Sequence, residues 1–415
     1  MTQAIILAAG KGVRMQPLTS TRPKPLLRVL NNTILEHNLG QLDGVVDEVI
    51  IIIGYKGDMI KSLIGDKYGS MSVRYVEQKD QLGTGDAAKQ ALPFLKDKFI
   101  LLNGDDLYFK EDIKNCLSLC PSILLGRVKD PSFFGVVNCY DDFVRGIVEK
   151  PAECASNSLV NTGLYCLDKS IFDFEIKEST RGELEFTDYI KSFIKNERLH
   201  FYSTEKWFPV SHPWNLLEAN ESMLKNMRVG IMGSIKGNVD SGCFIIGNVI
   251  IEPGAVIKNG TRIEGPVYIC KDATIGPNAF IRANTVIGPN CNIGSGVEIK
   301  NSVIGSNSKI PHLTYIGDSV IGDDCNISGG TIIANFRLDK DTVKVVVKDK
   351  KVDTQRQKFG AVLGDNANIG VNCSIMPGVT IGFNAIIGPN STVFKNVSNN
   401  VKYFTKFNEV IEENQ

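Results

Sequence analysis

Residues 263–299 read IEGPVY ICKDAT IGPNAF IRANTV IGPNCN IGSGVE I, so that an isoleucine stands at every sixth position. The same spacing begins at Ile245 and runs, with two one-residue slips and one interruption, to Val393. A glycine or another small or polar residue commonly follows the aliphatic one, as in Ile275-Gly276, which suits a sharp corner. Such hexapeptide repeats predict a parallel β-helix whose stacked aliphatic side chains fill the interior.

The interruption lies between Asn335 and Lys358, where a polar insert carries eight basic and four acidic residues. Its alternating run Thr342-Val343-Lys344-Val345 predicts a hairpin that projects from the wall. Resemblance to known hexapeptide proteins implies three hexads per coil and a left-handed, triangular helix. The alternative for this whole domain is that the β-helix serves only for trimerisation and carries no site.

The chain before about residue 225 has a different pattern, in which short aliphatic runs alternate with amphipathic segments. This alternation predicts an α/β domain with a mostly parallel sheet covered on both faces. Leu216, Leu217, Met223 and Leu224 recur at helical spacing and predict a closing helix over 213–227. We therefore expect two domains, residues 1–228 and 229–415. The predicted strands are Ala4–Ala8, Glu48–Ile53, Val73–Val76, Phe99–Leu102 and Ile123–Val128.

Composition is typical of a soluble globular protein: 415 residues, 43% hydrophobic, with 46 basic side chains balancing 46 acidic ones. Zero net charge argues against nucleic acid as the main partner, and no aliphatic run approaches the length of a membrane span. The N-terminus has no basic leader, so we expect a cytoplasmic protein. Ten cysteines without a C-x-x-C pair are expected to be reduced thiols, with no zinc site.

The first strand runs into the sequence LAAGKGVRMQPLTSTRPK, residues 7–24. Its glycines allow a backbone to approach a phosphate closely, and Arg14 and Lys24 supply positive charge. The third glycine of a dinucleotide fingerprint is missing and no Walker G-K-[ST] follows. The whole run resembles the signature of sugar-1-phosphate nucleotidylyltransferases at each fixed position. The resemblance implies that Arg14 and Lys24 are catalytic and that the nucleotide is bound by Leu7, Ala9, Gly10 and Gly12.

Further stretches match this family in chain order. Gln78, Gly83 and Thr84 resemble the element that reads the edge of a pyrimidine base. Asp105 follows a hydrophobic strand, at the end where α/β sheets bind ligands, and resembles the family's Mg²⁺ ligand. The sugar-phosphate side of the pocket is implied to comprise Gly135, Glu149, Lys150 and Asn161.

The implied reaction is attack of a sugar 1-phosphate on the α-phosphorus of UTP or dTTP, with release of pyrophosphate. It needs positioning and charge neutralisation rather than a covalent catalyst. One departure concerns the second metal-binding Asp of the family, because this chain has Pro209 there. Three alternatives stay open: Asp105 holds Mg²⁺ with phosphates and water, a neighbour such as Asp106 contributes, or transfer is weakened.

The β-helical half carries chemistry of its own. The run Lys309 to Asp318, with His312 and Tyr315, and the run Asn326 to Asn335 resemble elements of the glucosamine-1-phosphate acetyltransferase domain of bifunctional N-acetylglucosamine-1-phosphate uridylyltransferases. Transfer from acetyl-CoA requires an amine to lose a proton, and a neutral imidazole is a suitable base. The resemblance implies that His312 is that base and that the acceptor is bound by Arg282, Lys300, Tyr315, Asn326 and Asn335.

The resemblance covers nearly the whole chain. The longer insert and the sugar-nucleotide type of the N-terminal signature together resemble archaeal bifunctional enzymes more than bacterial ones. It implies a homotrimer, Mg²⁺ and acetyl-CoA as co-substrate. The sugar, the choice between UTP and dTTP, and the role of insert residues 336–358 stay open. Two alternatives are a monofunctional glucose- or mannose-1-phosphate nucleotidylyltransferase and a non-catalytic regulatory subunit, each with a structural β-helix.

Overall fold

The computed structural model describes residues 2–407 apart from Lys129, Ala152, Thr180 and 228–234. Its contacts divide the chain into two compact units. The first contains residues 1–12, 22–28 and 32–211, and the second contains residues 13–21, 29–31 and 212–415. The expected domain boundary between 228 and 229 falls outside the described residues, and a division there stays a proposal.

The first unit is built on a ten-stranded sheet with helices against it. The described part of the chain has twelve strands up to residue 203: β1 Gln3–Ala8, β2 Arg28–Val29, β3 Asn32–Thr33, β4 Glu48–Ile53, β5 Lys67–Tyr68, β6 Met71–Glu77, β7 Lys98–Asn103, β8 Ser122–Arg127, β9 Gly135–Tyr140, β10 Phe143–Glu149, β11 Leu159–Asp168 and β12 His200–Ser203. Ten of them form this sheet, and β2 and β3 pair with each other in a separate two-stranded sheet. The helices are α1 Ile34–Leu42, α2 Gly57–Ile64, α3 Thr84–Lys89, α4 Lys110–Ser118, α5 Phe186–Phe193 and, in the second unit, α6 Pro213–Asn226. Short 3₁₀ turns occupy Val13–Met15, Lys24–Leu26, Leu92–Phe94, Pro131–Phe133 and Lys169–Asp173.

All five predicted strands are present, within two residues of the expected bounds. The sheet order is β5-β6-β4-β1-β7-β11-β8-β12-β10-β9, in which β6, β4, β1 and β7 are parallel. The far half is mixed, because β11 runs antiparallel to both β7 and β8. Apolar clusters cover both faces, as expected for an α/β layer. The prediction of a mostly parallel sheet therefore holds for the half that contains β1 and β7.

The second unit contains a parallel β-helix of two- to four-residue strands. They are β13 Asn238–Val239, β14 Phe244–Ile246, β15 Val249–Ile251, β16 Val256–Ile257, β17 Arg262–Glu264, β18 Val267–Ile269, β19 Thr274–Ile275, β20 Phe280–Ile281, β21 Thr285–Ile287, β22 Asn292–Ser295, β23 Glu298–Lys300, β24 Val303–Ile304, β25 Lys309–His312, β26 Tyr315–Gly317, β27 Val320–Ile321, β28 Asn326–Ile327, β29 Ile332–Ile333, β30 Lys344–Val347, β31 Lys350–Asp353, β32 Val362–Leu363, β33 Asn368–Ile369, β34 Ser374–Ile375, β35 Thr380–Ile381, β36 Ile386–Ile387, β37 Thr392–Val393 and β38 Lys402–Tyr403.

Apart from β30 and β31, which pair with each other in the insert, these strands form three parallel sheets, one for each side of the coil. The first sheet runs from β13 through β22, β25 and β28 to β38, and the second runs from β14 through β20, β23, β26 and β29 to β37. The third contains β15 and β18 and ends at β35. The isoleucines of the repeat pair with one another from coil to coil, as Ile281 does with Ile299, and they form one buried core, at whose end Ile245 is half-buried. The predicted parallel β-helix with three sides is confirmed.

The glycines that follow the aliphatic residues have two different causes. Gly276 has a φ of +93°, a conformation that a side chain disfavours. Gly294 is needed instead for close packing, since an added Cβ would lie 1.8 Å from the carbonyl oxygen of Pro311 on the next coil. Many corners with positive φ are occupied by asparagine, such as Asn278 and Asn290, which tolerates this conformation.

The insert forms the predicted hairpin. Strands β30 and β31 pair antiparallel, and Lys348 and Asp349 make the turn between them with positive φ. A bridge between Phe336 and Lys358 closes the base of the insert. In the part of the chain that the structure describes, no helix has the length and apolar character that a membrane crossing requires.

Candidate active sites

The first site is set by the carboxyl ends of β1 and β7. The two strands pair in parallel, with Leu7 opposite Asn103, and the amide of Gly104 donates to the Leu7 carbonyl oxygen at 2.9 Å. Ala9 and Gly10 leave β1 at the edge of the sheet where Asp105 leaves β7. The topology therefore brings the start of the glycine-rich run close to the predicted metal ligand.

Lys24 and Asp105 form an ion pair inside this site. The Lys24 ammonium donates to Oδ2 of Asp105 at 2.6 Å, with 6% of the lysine side chain and 37% of the aspartate side chain exposed. The lysine is thus held with its charge at the sheet edge, and the aspartate keeps an accessible side. Arg14 lies in the turn Val13–Met15, which belongs to the second unit, and is partly exposed.

The predicted base-reading loop is clamped by its own side chains. Gln78 is 5% exposed, and its amide nitrogen donates to the Gly83 carbonyl oxygen at 3.0 Å and to Asp86 at 2.8 Å. Gly83 has a φ of +114°, and an added Cβ would lie 2.5 Å from the carbonyl oxygen of Leu184. The Thr84 hydroxyl accepts from the amide of Phe186 at 3.0 Å. Gln78 and Gly83 are therefore required for the shape of the loop, whatever the loop binds.

The loop also contains a residue that the sequence analysis did not single out. The side-chain amide nitrogen of Gln81 donates to the backbone carbonyl oxygen of Ala9 at 2.9 Å. This bond ties the loop to the glycine-rich run. No spacing rule points to it, because the two residues meet only through the sheet topology.

The predicted sugar-phosphate residues separate into two groups. Glu149 and Lys150 line a cleft of about 860 Å³ together with Arg181. The Glu149 carboxylate lies 3.5 Å from the Lys150 ammonium and 3.6 Å from the Arg181 guanidinium. Gly135 lies behind this cluster, where an added Cβ would approach a Glu149 oxygen within 2.9 Å. Asn161 is not in the cleft lining, and its side chain bonds within its own strand, to the Tyr165 hydroxyl and the Gly163 amide.

Two carboxylates, those of Asp105 and Asp106, follow the end of β7. One oxygen of Asp106 accepts from the amide of Val210 at 3.0 Å, and Phe208 forms a bridge with Leu107. Pro209 is thus held beside the end of β7 but has no ligand to offer. Within residues 2–407, leaving out the gaps given above, no three His, Cys, Asp or Glu side chains group closely enough for a metal. A single carboxylate with phosphate and water ligands still suits Mg²⁺.

The second site is a cavity of about 310 Å³ on the β-helix wall. It brings together four residues of the predicted acceptor set, and two residues from the ends of the insert complete it: Arg282, Lys300, Tyr315, Asn335, Phe336 and Lys358. Register explains the convergence. Strands β20, β23, β26 and β29 stack in one sheet, so side chains that follow equivalent positions on successive coils meet on one surface.

Two cations of the cavity have acidic partners. Arg282 lies 2.8 Å from Glu298, and Lys300 lies 3.1 Å from the buried carboxylate of Asp318. The Asn335 amide donates to Asp318 and, at 3.3 Å, to the Tyr315 hydroxyl. Burial, with the nearby carboxylates, raises the pKa of Tyr315, so its hydroxyl stays protonated at neutral pH.

A glycine, Gly317, makes room for this network because it has no side chain. Gly317 stands next to Lys300 in the ladder, and an added Cβ there would lie 2.5 Å from Asn335 and 2.6 Å from the Tyr315 hydroxyl. Glycine at this position is therefore a steric requirement of the cavity.

His312 and Asn326 lie on a different side of the coil. His312 ends β25 and pairs with Ser295, while Asn326 belongs to the neighbouring strand β28, in a row of polar residues with Lys309 and Asn368. Neither residue lines the cavity. The His312 side chain is exposed, and its ring has no hydrogen-bond partner among the residues described.

Glu298, Asp318 and Lys358 were not identified from the sequence. The two acids follow the predicted cations by about one coil, so the repeat itself contains the signal for them. Lys358 carries no such signal, because it reaches the cavity only through the fold of the insert. No acidic partner of Lys358 is found in the described part of the chain.

Comparisons with known proteins identify both parts of the chain. The Nucleotidyl transferase family matches residues 3–226, a GMPPB C-terminal domain matches residues 263–364, and a bacterial transferase hexapeptide family of six repeats matches residues 360–395. A crystal structure assigned by name to glucose-1-phosphate thymidylyltransferase from Bacillus anthracis is 28% identical, with a TM-score of 0.50. The match covers 55% of this chain and 98% of that one.

Full-length relatives are also found. The Bifunctional protein GlmU of Methanococcus vannielii is 39% identical, with 99% of each chain covered. That of Methanocaldococcus jannaschii is 40% identical, with 96% of each covered. A Bifunctional sugar-1-phosphate nucleotidylyltransferase/acetyltransferase of Sulfurisphaera tokodaii is 39% identical over 95% of this chain and 98% of its own.

The fold and the two sites define a transferase that joins an α/β nucleotidyltransferase domain to a left-handed parallel β-helix of hexapeptide repeats, which confirms the predicted fold class. Within that class, the chain belongs to the family of bifunctional sugar-1-phosphate nucleotidylyltransferase/acetyltransferases. The relatives support the bifunctional interpretation over the monofunctional and regulatory alternatives.

Proposed function

We propose that the chain transfers an acetyl group from acetyl-CoA to glucosamine 1-phosphate or a related amino-sugar phosphate, and a nucleotidyl group from UTP or dTTP to N-acetylglucosamine 1-phosphate or glucose 1-phosphate. The observation that carries this proposal is the cavity on the β-helix. Four residues chosen from the sequence for one ligand, spread over residues 282–335, meet there around a space of about 310 Å³. A wall that served only for assembly would not need such a convergence.

In the acetyl step, Arg282, Lys300 and Lys358 bind the phosphate of the amino sugar. Glu298 and Asp318 balance two of these charges, so Lys358 supplies the positive charge in excess. Tyr315 and Asn335 orient the sugar by hydrogen bonds, and Asn326 lines the approach along the neighbouring side. His312 is assigned the proton that the amine loses when its nitrogen attacks the thioester carbonyl, and free CoA leaves. Because His312 lies on a different side of the coil from the cavity, it would act on an acceptor that a neighbouring chain of the proposed trimer holds. Its exposed, unbonded ring suits this role.

In the nucleotidyl step, Arg14 and Lys24 bind the triphosphate beside the backbone of Leu7, Ala9, Gly10 and Gly12. The Gln78 amide has donated both hydrogens within the loop, so its oxygen is the group available to the N3–H of a pyrimidine. Gly83 and Thr84 shape that loop. Glu149 and Lys150 contact the sugar phosphate, with Gly135 and Asn161 supporting them.

Asp105 would hold Mg²⁺ together with substrate phosphates and water. The ion would neutralise charge on the triphosphate. Lys24, which already contacts Asp105, would keep its positive charge beside the same phosphates.

Assembly and location are part of the proposal. Exposed Phe244, Ile246 and Phe394 on the β-helix support association, and we propose a homotrimer. Light scattering tests this, and a monodisperse monomer with full acetyl transfer would contradict it. All ten cysteines are free, which supports a reducing compartment, the cytoplasm.

One assay tests both activities. Purified protein receives Mg²⁺, UTP or dTTP, acetyl-CoA and glucosamine 1-phosphate, and CoA thiol and pyrophosphate are followed separately. We expect both products. Thiol alone would leave only the acetyltransferase, pyrophosphate alone would leave only the nucleotidyltransferase, and neither would contradict the proposal.

A further inference from the structure

Residues 13–21, which carry Arg14, pack against the β-helix within the second unit. The Thr21 hydroxyl donates to Oδ2 of Asp365, and the Asn399 amide donates to the Ser20 hydroxyl at 3.2 Å. Gly364 lies beneath Pro17, because an added Cβ there would lie 3.0 Å from the proline Cβ. Three points on this loop thus contact corners of the coil.

Asp365 is a rigid partner for the loop. Its side chain is buried, and Oδ1 accepts from the amide of Asp323 at 2.8 Å. A carboxylate fixed by its own coil is a stronger and better-oriented acceptor than a surface group in water. The bond from Thr21 therefore holds the end of the loop to a fixed point.

A second segment is attached in the same way. The Asn31 side chain donates to Glu252 at 2.7 Å. The backbone amide of Leu30 is also held, because it donates to the buried side chain of Asn220 at 2.7 Å. Glu252 is fixed in turn by the Tyr268 hydroxyl at 2.6 Å.

Two of the loop residues that bond to the β-helix, Ser20 and Thr21, lie within the nucleotidylyltransferase signature of residues 7–24. The signature L-A-A-G-x-G-x-R-[LM]-x-P-L-T-x-x-x-P-K leaves residues 20 to 22 open, and Ser20 and Thr21 occupy two of the open positions. The fixed positions include Arg14 and Lys24. The loop side chains that hydrogen-bond to the β-helix thus stand at positions that the signature leaves open, whereas Pro17, which contacts Gly364, is a fixed position.

We infer that the β-helix positions the loop that carries Arg14, and that Thr21 and Asp365 are positioning residues for nucleotidylyl transfer. The inference rests on the proposed function for its catalytic consequence. A group that stabilises a phosphoryl transition state must be held in place before the reaction, so loosening its loop lowers kcat more than it weakens substrate binding.

The full-length protein provides the test, with Thr21→Val, which removes the hydroxyl, and Thr21→Ser, which keeps it. We expect Thr21→Val to lower kcat for pyrophosphate release about 10-fold, with little change in KM and no change in CoA thiol release. Thr21→Ser should restore the rate. Asp365→Asn exchanges the carboxylate acceptor for an amide that can still bond to the Thr21 hydroxyl, so it should lower kcat less than Thr21→Val does. Asp324→Asn is the matched control, because Asp324 bonds to Asn307 on the coil and not to the loop.

Hydrogen exchange gives a second measure that needs no turnover. Amides in residues 13–21 should exchange about 10-fold faster in Thr21→Val than in the wild type. If the wild type releases no pyrophosphate but this difference is found, the proposed function fails and the positioning stands. Unchanged exchange, or an equal loss of both activities, would overturn the inference.

Discussion

The two candidate sites are assembled by different means. The proposed acceptor cavity takes its residues from successive coils, and register places them side by side, as it places Arg282 and Lys300 directly after the paired residues Ile281 and Ile299. The proposed nucleotide site draws on loops that leave β1, β6 and β7, and these are held by side-chain bonds such as Lys24 to Asp105 and Gln81 to Ala9. In the β-helix, therefore, the fixed spacing of the repeat brings site residues together, whereas in the α/β layer the order of the strands does so.

The difference predicts that each activity can be removed without the other. The largest effect is expected for His312→Asn, which keeps a polar side chain but removes the base. CoA thiol release should fall about 10²- to 10⁴-fold, the range for general base catalysis. Pyrophosphate release by the same protein, supplied with N-acetylglucosamine 1-phosphate, should be unchanged. Equal loss of both would show that the sites are not independent.

Lys24→Met should have the converse effect. Removing one preorganised cation from the phosphates is expected to lower kcat for pyrophosphate release about 10²- to 10³-fold, with thiol release retained. Lys61→Met is the matched control, because Lys61 is an exposed residue of α2 whose ammonium pairs with Asp58, away from the glycine-rich run. A similar loss in both variants would show a general charge effect rather than a site.

A smaller effect is expected when the cavity is narrowed. Gly317→Ala places a Cβ against Asn335 and Tyr315, so the KM for the amino-sugar phosphate should rise about 10-fold, the effect of one lost or misplaced contact. Gly40→Ala, where an added Cβ meets nothing within 4 Å, is the control. An unchanged KM would place the acceptor elsewhere on the wall.

Pro209→Asp should have the smallest effect. The residue lies between Phe208 and Val210, both tied to the segment after Asp105, so a carboxylate there would add a second metal ligand. The Mg²⁺ concentration for half-maximal pyrophosphate release should fall a few-fold. A rise would indicate that the site does not bind the metal at Asp105.

Much of this molecule is predictable from its sequence, and the limits have physical causes. The isoleucines at every sixth position define the β-helix because each one fills the same interior. The acceptor residues on it could be proposed from the sequence because they stand at fixed positions along this repeat. The antiparallel strand β11 was not predicted, since sheet order depends on tertiary pairing rather than on local pattern. Lys358 and Gln81 were missed because they meet their sites only after the insert and the loops have folded.

The most direct test of the account is calorimetric titration of the full-length protein with glucosamine 1-phosphate, compared with Arg282→Gln and Lys300→Met. We predict one site per chain in the wild type and binding weakened about 10- to 100-fold in each variant, because each loses a charge-assisted contact to the phosphate. Equal affinity in all three proteins would contradict the assignment of this cavity to the amino-sugar phosphate.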